Sequence, residues 1–272
     1  MANAKFDNFY LLLFWPMQSS TILIHYFISA GIKVLVVSGD PWDNGRRTEI
    51  IDLEDSSFTC SKVNQFPVSL LASAGGLVGS TPFVCGGWLG SSYSNACYTL
   101  QENGAWKQDR TASLNTGRQY AASGSVIMSN QLVIAGGHNG NYLSSIELAS
   151  PNARTTTLPI GLSLGLDRSC IVPWDANTFM VIGGYSSGYR RETYFITPSN
   201  KTVTNGPKLQ NARYHVACHD MIVNEEEFII VIGGHGSGNE KTIEVLSKAR
   251  VGDGWKMGKN FLVVKGVPTS FR

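Results

Sequence analysis

Charge is scarce in this chain. Asp, Glu, Lys and Arg make up 15% of its 272 residues, against about 25% in ordinary soluble domains. The net charge is +2 and no polybasic stretch is present, which argues against nucleic acid or anionic lipid as a partner. No long acidic run or low-complexity tail points to disorder. Helical periodicity is missing too. So are paired carboxylates, and neither a Ser-His-Asp nor a Cys-His set has supporting context. Glu225, Glu226 and Glu227 form a run that reads as a solvated hairpin turn. Glycine, by contrast, is plentiful, at 29 of 272 residues, well above the usual ~7%. Low charge with high glycine fits many short strands joined by tight turns, and the length suffices for one large β domain or two small ones.

A glycine doublet recurs at the end of apolar runs: "FVCGG" (83–87), "LVIAGG" (132–137), "FMVIGG" (179–184) and "FIIVIGG" (228–234), with a degenerate copy "VLVVSGD" (34–40) ahead of them. Gly39, Gly87, Gly137, Gly184 and Gly234 are spaced by 48, 50, 47 and 50 residues. So even a period marks a repeat architecture. No helix or Lys-Ser/Thr follows the doublets, so a phosphate-cradling loop is excluded. Gly39, Gly86, Gly136, Gly183 and Gly233 with their partners read as turn glycines that need positive φ. Each copy continues with a polar loop, a second alternating strand such as "NACYTL" (95–100) or "ETYFIT" (192–197), and a third short strand. A small-residue strand such as "QYAASGSVIM" (119–128) leads into the next doublet. Four strands per repeat predict an all-β chain of β-propeller blades.

The doublet, the Trp about twenty residues later (Trp106, Trp255) and an Arg before the innermost strand (Arg118, Arg168, Arg213) resemble the kelch repeat family. The resemblance covers about residues 32–272. It departs at Ser38-Gly39-Asp40 and in the copies that lack the Trp. It implies a kelch-type propeller over residues 21–272 with five recognisable four-stranded blades, or a truncated six-bladed ring. "TILIHYF" (21–27) reads as the first inner strand, and "FLVVKG" (261–266) as an outer strand or the opening of a sixth blade. Residues 1–20 leave three readings open: a signal peptide, an apolar N-terminal strand or wrongly assigned start, and, least favoured, a membrane anchor.

Cys85 and Cys97 lie equally far from the turn at residue 91, which puts them opposite each other in a hairpin, within disulfide range. Such a bond would contribute about 3 kcal/mol in the chain-entropy model. Cys170 and Cys218 read as buried small hydrophobes, and Cys60 is unassigned. The triplet Asn200-Lys201-Thr202 is a glycosylation sequon in a polar turn. Together these lean towards a secreted protein.

The post-doublet loops and the entries to the inner strands emerge on one face. They carry Trp42, Trp88, Tyr93, His138, Tyr142, Tyr185, Tyr189 and His235 beside small polar residues, the composition of a binding surface. Arg46, Arg47, Arg118, Arg168, Arg190, Arg191 and Arg213 would make the same face locally positive, suiting a partner with an acidic segment; bracing between blades is the competing reading for Arg118, Arg168 and Arg213. The family implies a non-enzymatic protein-binding scaffold without cofactor or metal, with a ubiquitin-ligase or actin link by analogy alone. No BTB or BACK region accompanies these repeats. Extracellular glycan recognition is the alternative. A further alternative is an enzyme like galactose oxidase, a kelch propeller whose copper is held by Tyr, His and a cysteine-linked Tyr. His215 and His219, on one inner strand, read as channel lining or core.

Overall fold

The computed structural model describes residues 33–37, 46–52, 60–62, 64–126, 130–236 and 242–258. These residues form five antiparallel sheets. The first comprises β1 (Lys33–Val37), β2 (Thr48–Asp52) and β3 (Cys60–Lys62). The second runs β4 (Ala74–Val78), β5 (Thr81–Cys85), β6 (Ala96–Leu100) and β7 (Trp106–Ser113). The third contains β8 (Ala122–Val126), β9 (Gln131–Ala135), β10 (Ile146–Ala149) and β11 (Thr156–Thr157). The fourth is β12 (Cys170–Pro173), β13 (Phe179–Ile182), β14 (Thr193–Thr197) and β15 (Thr202–Asn205). The fifth is β16 (Ala217–Val223), β17 (Glu226–Ile232), β18 (Ile243–Ser247) and β19 (Lys256–Met257). Each strand pairs with its neighbour in sequence. The segments expected to supply a first inner strand (21–27) and a closing strand (261–266) lie outside the described residues, as do residues 1–20.

The apolar runs before the doublets become the second strands, and they are buried along their length. Leu132–Ala135 of β9 and Phe179–Ile182 of β13 show no exposed position. A strand reads as continuously apolar when both faces of its sheet are covered, and here neighbouring sheets do the covering. Phe83 of the second sheet packs with Leu132 and Ile134 of the third. Val133 and Ile146 of the third pack with Phe179, Val181 and Tyr194 of the fourth. Met180 and Ile182 of the fourth meet Ile229, Val231 and Trp255 of the fifth. The core is thus a series of layers between successive sheets.

The first strands of the second to fifth sheets, β4, β8, β12 and β16, lie side by side. A small residue lets the fourth sheet approach β8 closely: a Cβ on Gly124 would meet the Phe179 ring of β13 at 3.0 Å and Ile171 of β12 at 3.5 Å. Two ties join these strands laterally. The Ser123 hydroxyl accepts from the Gly75 N–H (2.9 Å) and donates to the Gly75 carbonyl (2.8 Å). Cys170 and Cys218 form a disulfide between β12 and β16. This corrects the expectation of two buried small hydrophobes: both cysteines are half-buried, and their Cα atoms are 6.1 Å apart, inside the range a disulfide spans. Cys85 and Cys97 are directly paired across β5 and β6 and bonded, with Cα atoms 4.1 Å apart. Among the described residues no helix is long and apolar enough to cross a membrane.

Candidate functional site

The doublets link each sheet to the next. Gly86 and Gly87 have φ of 71° and 107°, which disfavours any residue with a Cβ; a Cβ on Gly86 would also lie 2.7 Å from the Arg118 carbonyl. The second glycine donates its N–H to a carbonyl in the entry segment of the following sheet: Gly87 to Arg118 (2.7 Å), Gly137 to Leu166 (2.7 Å) and Gly184 to Arg213 (2.9 Å). Arg118, Leu166 and Arg213 therefore occupy one structural slot.

In two copies that slot holds a buried ion pair. The side chains of Arg118 and Glu147 are 0% exposed, as are those of Arg213 and Glu244. Arg213 meets Glu244 at 2.8 Å and also donates to the Gly233 and Thr242 carbonyls. Arg118 contacts Glu147 and donates to the Gly136 and Ser145 carbonyls. Loss of water lowers the pKa of both guanidinium groups, and the facing carboxylate opposes that fall. The carboxylates also accept backbone N–H bonds, Glu147 from Asn115 (2.6 Å) and Thr116 (3.2 Å), Glu244 from Gln210 (2.6 Å) and Asn211 (3.0 Å). Burial therefore removes Arg118 and Arg213 from the partner-facing set; they brace sheet to sheet. Where the slot is Leu166, the Glu position is Tyr194, and the two share an apolar cluster. Leu70 and Tyr98 repeat that exchange two sheets earlier, in the second sheet.

Arg168 stands two residues beyond its expected slot and does something different. Ala72, Tyr120, Arg168 and His215 each precede an inner strand with φ of 55°, 55°, 53° and 52°. Positive φ in non-glycine residues costs of order 1–3 kcal/mol and persists only where the surroundings enforce it. Here a chain of backbone hydrogen bonds enforces it: Tyr120 N–H donates to the Ala72 carbonyl (2.9 Å), Arg168 N–H to Tyr120 (2.9 Å) and His215 N–H to Arg168 (3.0 Å). The arc brings three side chains to one mouth above the inner strands. The Arg168 guanidinium lies 3.9 Å from the centroid of the Tyr120 ring, and the Tyr120 and His215 rings are 5.8 Å apart.

The mouth is electrostatically tuned. Arg168 pairs with Asp167 at 2.6 Å. The other Asp167 carboxylate oxygen is buried without a hydrogen-bond partner; loss of water raises the Asp167 pKa and Arg168 opposes the rise. His215 keeps an exposed flank, yet its crowded surroundings strip water from the imidazole. With the Arg168 charge and the neighbouring His235 imidazole also opposing a further proton, its pKa is pushed down to about 4. At neutral pH it is an unprotonated imidazole with a free lone pair.

Around this mouth runs a rim of rings. The residue after each doublet, Trp88, His138, Tyr185 or His235, bridges the residue just before the arc (Leu71, Gln119, Asp167 or Tyr214). Trp88, His138 and Tyr185 also bridge Tyr93, Tyr142 and Tyr189 in their own loops. Ring centroids then follow one another: Trp88–Tyr93 4.8 Å, Tyr93–His138 6.0 Å, His138–Tyr142 5.4 Å, Tyr142–Tyr185 5.8 Å and Tyr185–Tyr214 5.4 Å. Tyr214 closes on His215 at 5.1 Å and on His235 at 5.4 Å, and the two imidazoles are 6.3 Å apart. Expected rim residues thus converge, and Tyr120, Asp167 and Tyr214 join them without having been singled out from sequence. Their signal was positional, since each lies just ahead of an inner strand.

The other expected residues lie apart from the mouth or turn back on their own loops. Arg190 donates from Nε to the Ser186 carbonyl and Arg191 to the Leu209 carbonyl. Arg46 donates to the Phe66 carbonyl (2.7 Å) and Arg47 pairs with Glu49 (2.6 Å). His219 is exposed beside Asp220 and so is not a core residue. Gly39 and Trp42 lie outside the described residues.

No protein-family profile and no curated relative matches the chain. Among solved structures it is similar to one described as a novel fungal alcohol oxidase with catalytic diversity among the AA5 family, in complex with copper. The TM-score is 0.67 at 13% identity, covering 88% of this chain and 53% of that one, so the chain spans about half the length of that oxidase. At this identity the likeness is one of fold. It nevertheless overturns the expectation that the chain is not an enzyme, because the fold it matches is that of a copper oxidase.

Proposed function

We propose that the five sheets are blades of a kelch-type β-propeller, and that the mouth above their inner strands is a copper-dependent oxidase site acting on alcohols. One observation carries the reading: two imidazoles and two phenols, His215, His235, Tyr120 and Tyr214, meet beside a guanidinium whose charge is already matched by Asp167. These residues fit the metal in donor chemistry, since imidazole nitrogen and phenol oxygen suit copper. Among the described residues no three His, Cys, Asp or Glu side chains come together, so the phenols would have to complete the ligand set.

Copper, when bound, supplies a one-electron redox couple and a Lewis-acid seat for the alcohol oxygen. The chain's own groups prepare that seat. His215 needs to lose no proton at neutral pH before offering its lone pair. Burial and the neighbouring Tyr189 hold the Tyr214 phenol above its usual pKa, so it keeps its proton at neutral pH, and serving as a copper ligand would require that proton to be released. Arg168, fixed by Asp167 and the Tyr120 face, directs donors into the mouth, where a substrate oxygen could be oriented. The rim of rings forms an apolar wall that limits water and offers contact area to the substrate. Two disulfides support an extracellular setting.

The test is copper titration followed by electron paramagnetic resonance, with peroxide measured from a panel of primary alcohols. We expect one copper per chain with nitrogen coupling, tighter binding as pH rises from 6 to 8, and loss of the signal in His215→Ala. Binding unaffected by His215→Ala together with His235→Ala, or copper-loaded protein that makes no peroxide from any alcohol, would overturn the reading.

A further inference from the structure

We propose that Asn200 is an N-glycosylation site, and that the chain acquires its glycan in the oxidising compartment where its disulfides form. Of its asparagines, only Asn200 is followed two residues later by Ser or Thr, with Lys201 rather than Pro between. The structure adds three independent features. First, Asn200, Lys201 and Thr202 are all exposed at the tip of the β14–β15 hairpin. The turn is closed by the Lys201 N–H donating to the Pro198 carbonyl (3.1 Å), and Lys201 adopts φ of 54°. Second, the Asn200 carbonyl oxygen accepts from the Ser199 hydroxyl (3.4 Å), while its amide nitrogen and the Thr202 hydroxyl make no hydrogen bond among the described residues. The two groups that a transferase must engage are therefore available. Third, the chain carries two disulfides, the mark of a secretory environment.

A contrast within the same chain sharpens the assignment. Asn95-Ala96-Cys97 has a thiol-bearing residue at the corresponding place, but Cys97 is 0% exposed and bonded to Cys85. Once that bond forms, no free group remains there to assist the asparagine.

The chemistry balances with one co-reactant, a polyprenyl-pyrophosphate-linked oligosaccharide. The Asn200 amide nitrogen forms a bond to the anomeric carbon of the sugar. The bond from that carbon to the pyrophosphate oxygen breaks, polyprenyl pyrophosphate leaves, and the amide proton passes to a base of the transferase. No electrons change hands. Position matters as well: β14 begins beside the mouth, where Gly183 N–H meets the Glu192 carbonyl, and runs five residues to the turn. At ~3.3 Å per residue the glycan is roughly 16 Å from the mouth, at the opposite end of the sheet. It would solubilise that end and leave the rim of rings open.

The experiment is peptide mapping of protein from its native source, or of the full chain secreted by a eukaryotic host, before and after peptide-N-glycosidase. We expect a mass heterogeneity removed by the enzyme, with Asn200 converted to Asp. Asn200→Gln and Thr202→Ala should abolish it, and Thr202→Ser should retain it. Thr202→Ser also guards against a folding defect, because it keeps the hydroxyl. An unmodified Asn200 peptide in secreted, disulfide-bonded protein would overturn the proposal. So would free thiols at all four cysteines in native protein, since the chain would then never have met the transferase.

Discussion

Exchanging the buried Arg118–Glu147 pair for the Leu and Tyr found at the equivalent places in the fourth sheet would show whether the slot needs charge at all. Both side chains are 0% exposed, so removing one partner strands the other without water. Glu147→Tyr leaves Arg118 with three carbonyl oxygens and the Ser145 hydroxyl but no counter-charge. Arg118→Leu leaves Glu147 with the Asn115 and Thr116 N–H groups alone. Each single change should cost about 3–5 kcal/mol. For a chain of this size 1 kcal/mol corresponds to about 2 °C of Tm, so each should lower Tm by roughly 6–10 °C. The double variant restores the Leu166–Tyr194 solution, in which the Tyr194 hydroxyl reaches the Ser163 hydroxyl at 3.1 Å. Asn115 holds the place corresponding to Ser163 and can accept that hydroxyl. The double variant should therefore lie within about 1–2 kcal/mol of the wild type, as apolar replacements of buried ion pairs often do. Thermal and denaturant unfolding of the four proteins gives the coupling energy directly. Additive losses in the double variant would refute the idea that the two solutions are interchangeable.

Arg168→Gln removes one of the charges that oppose protonation of His215, so the His215 pKa should rise above about 4 while staying below the free value, because the loss of water remains. Since the folded pKa lies below the unfolded one, this residue's contribution to stability is full above about pH 6.5 and declines as pH falls towards 4. Arg168→Gln should flatten that decline; an NMR titration of His215 that does not move would sink the argument. Cys170→Ala with Cys218→Ala frees a loop of 48 residues and should cost about 4 kcal/mol in the chain-entropy model. Unfolding with and without reductant, compared with the variant, measures it, and an unchanged midpoint would refute the role of this tie.

Much of the sheet plan was legible because the periodic signals are local. A doublet ending a run of Val, Ile and Leu implies a strand and a positive-φ turn, and the even spacing implies a repeated unit. The Cys85–Cys97 bond was legible for the same reason, as a hairpin fixes its own register. What escaped depends on alignment between sheets. Arg168 looks like Arg118 and Arg213 in a linear reading, yet the Gly137 bond to Leu166 places it two residues further on, at the mouth. Its neighbour Asp167 and the rings of Tyr120 and Tyr214 become a site only when the arc of backbone bonds gathers them. The Cys170–Cys218 bond was equally invisible as a hairpin, although a separation of 48 residues is one repeat and brings the two cysteines side by side on adjacent inner strands.

The arc of backbone bonds through Ala72, Tyr120, Arg168 and His215 also has a direction in time. In every link the later residue supplies the N–H and the earlier one the carbonyl. A chain emerging from the ribosome makes its N-terminal parts first, so each acceptor is already in place when its donor arrives. Every new sheet can register on the one before it, with no need to wait for the whole chain. Reordering the repeats by circular permutation would reverse that order at one seam, and folding during synthesis should then lag at that seam while refolding of the complete chain is unaffected.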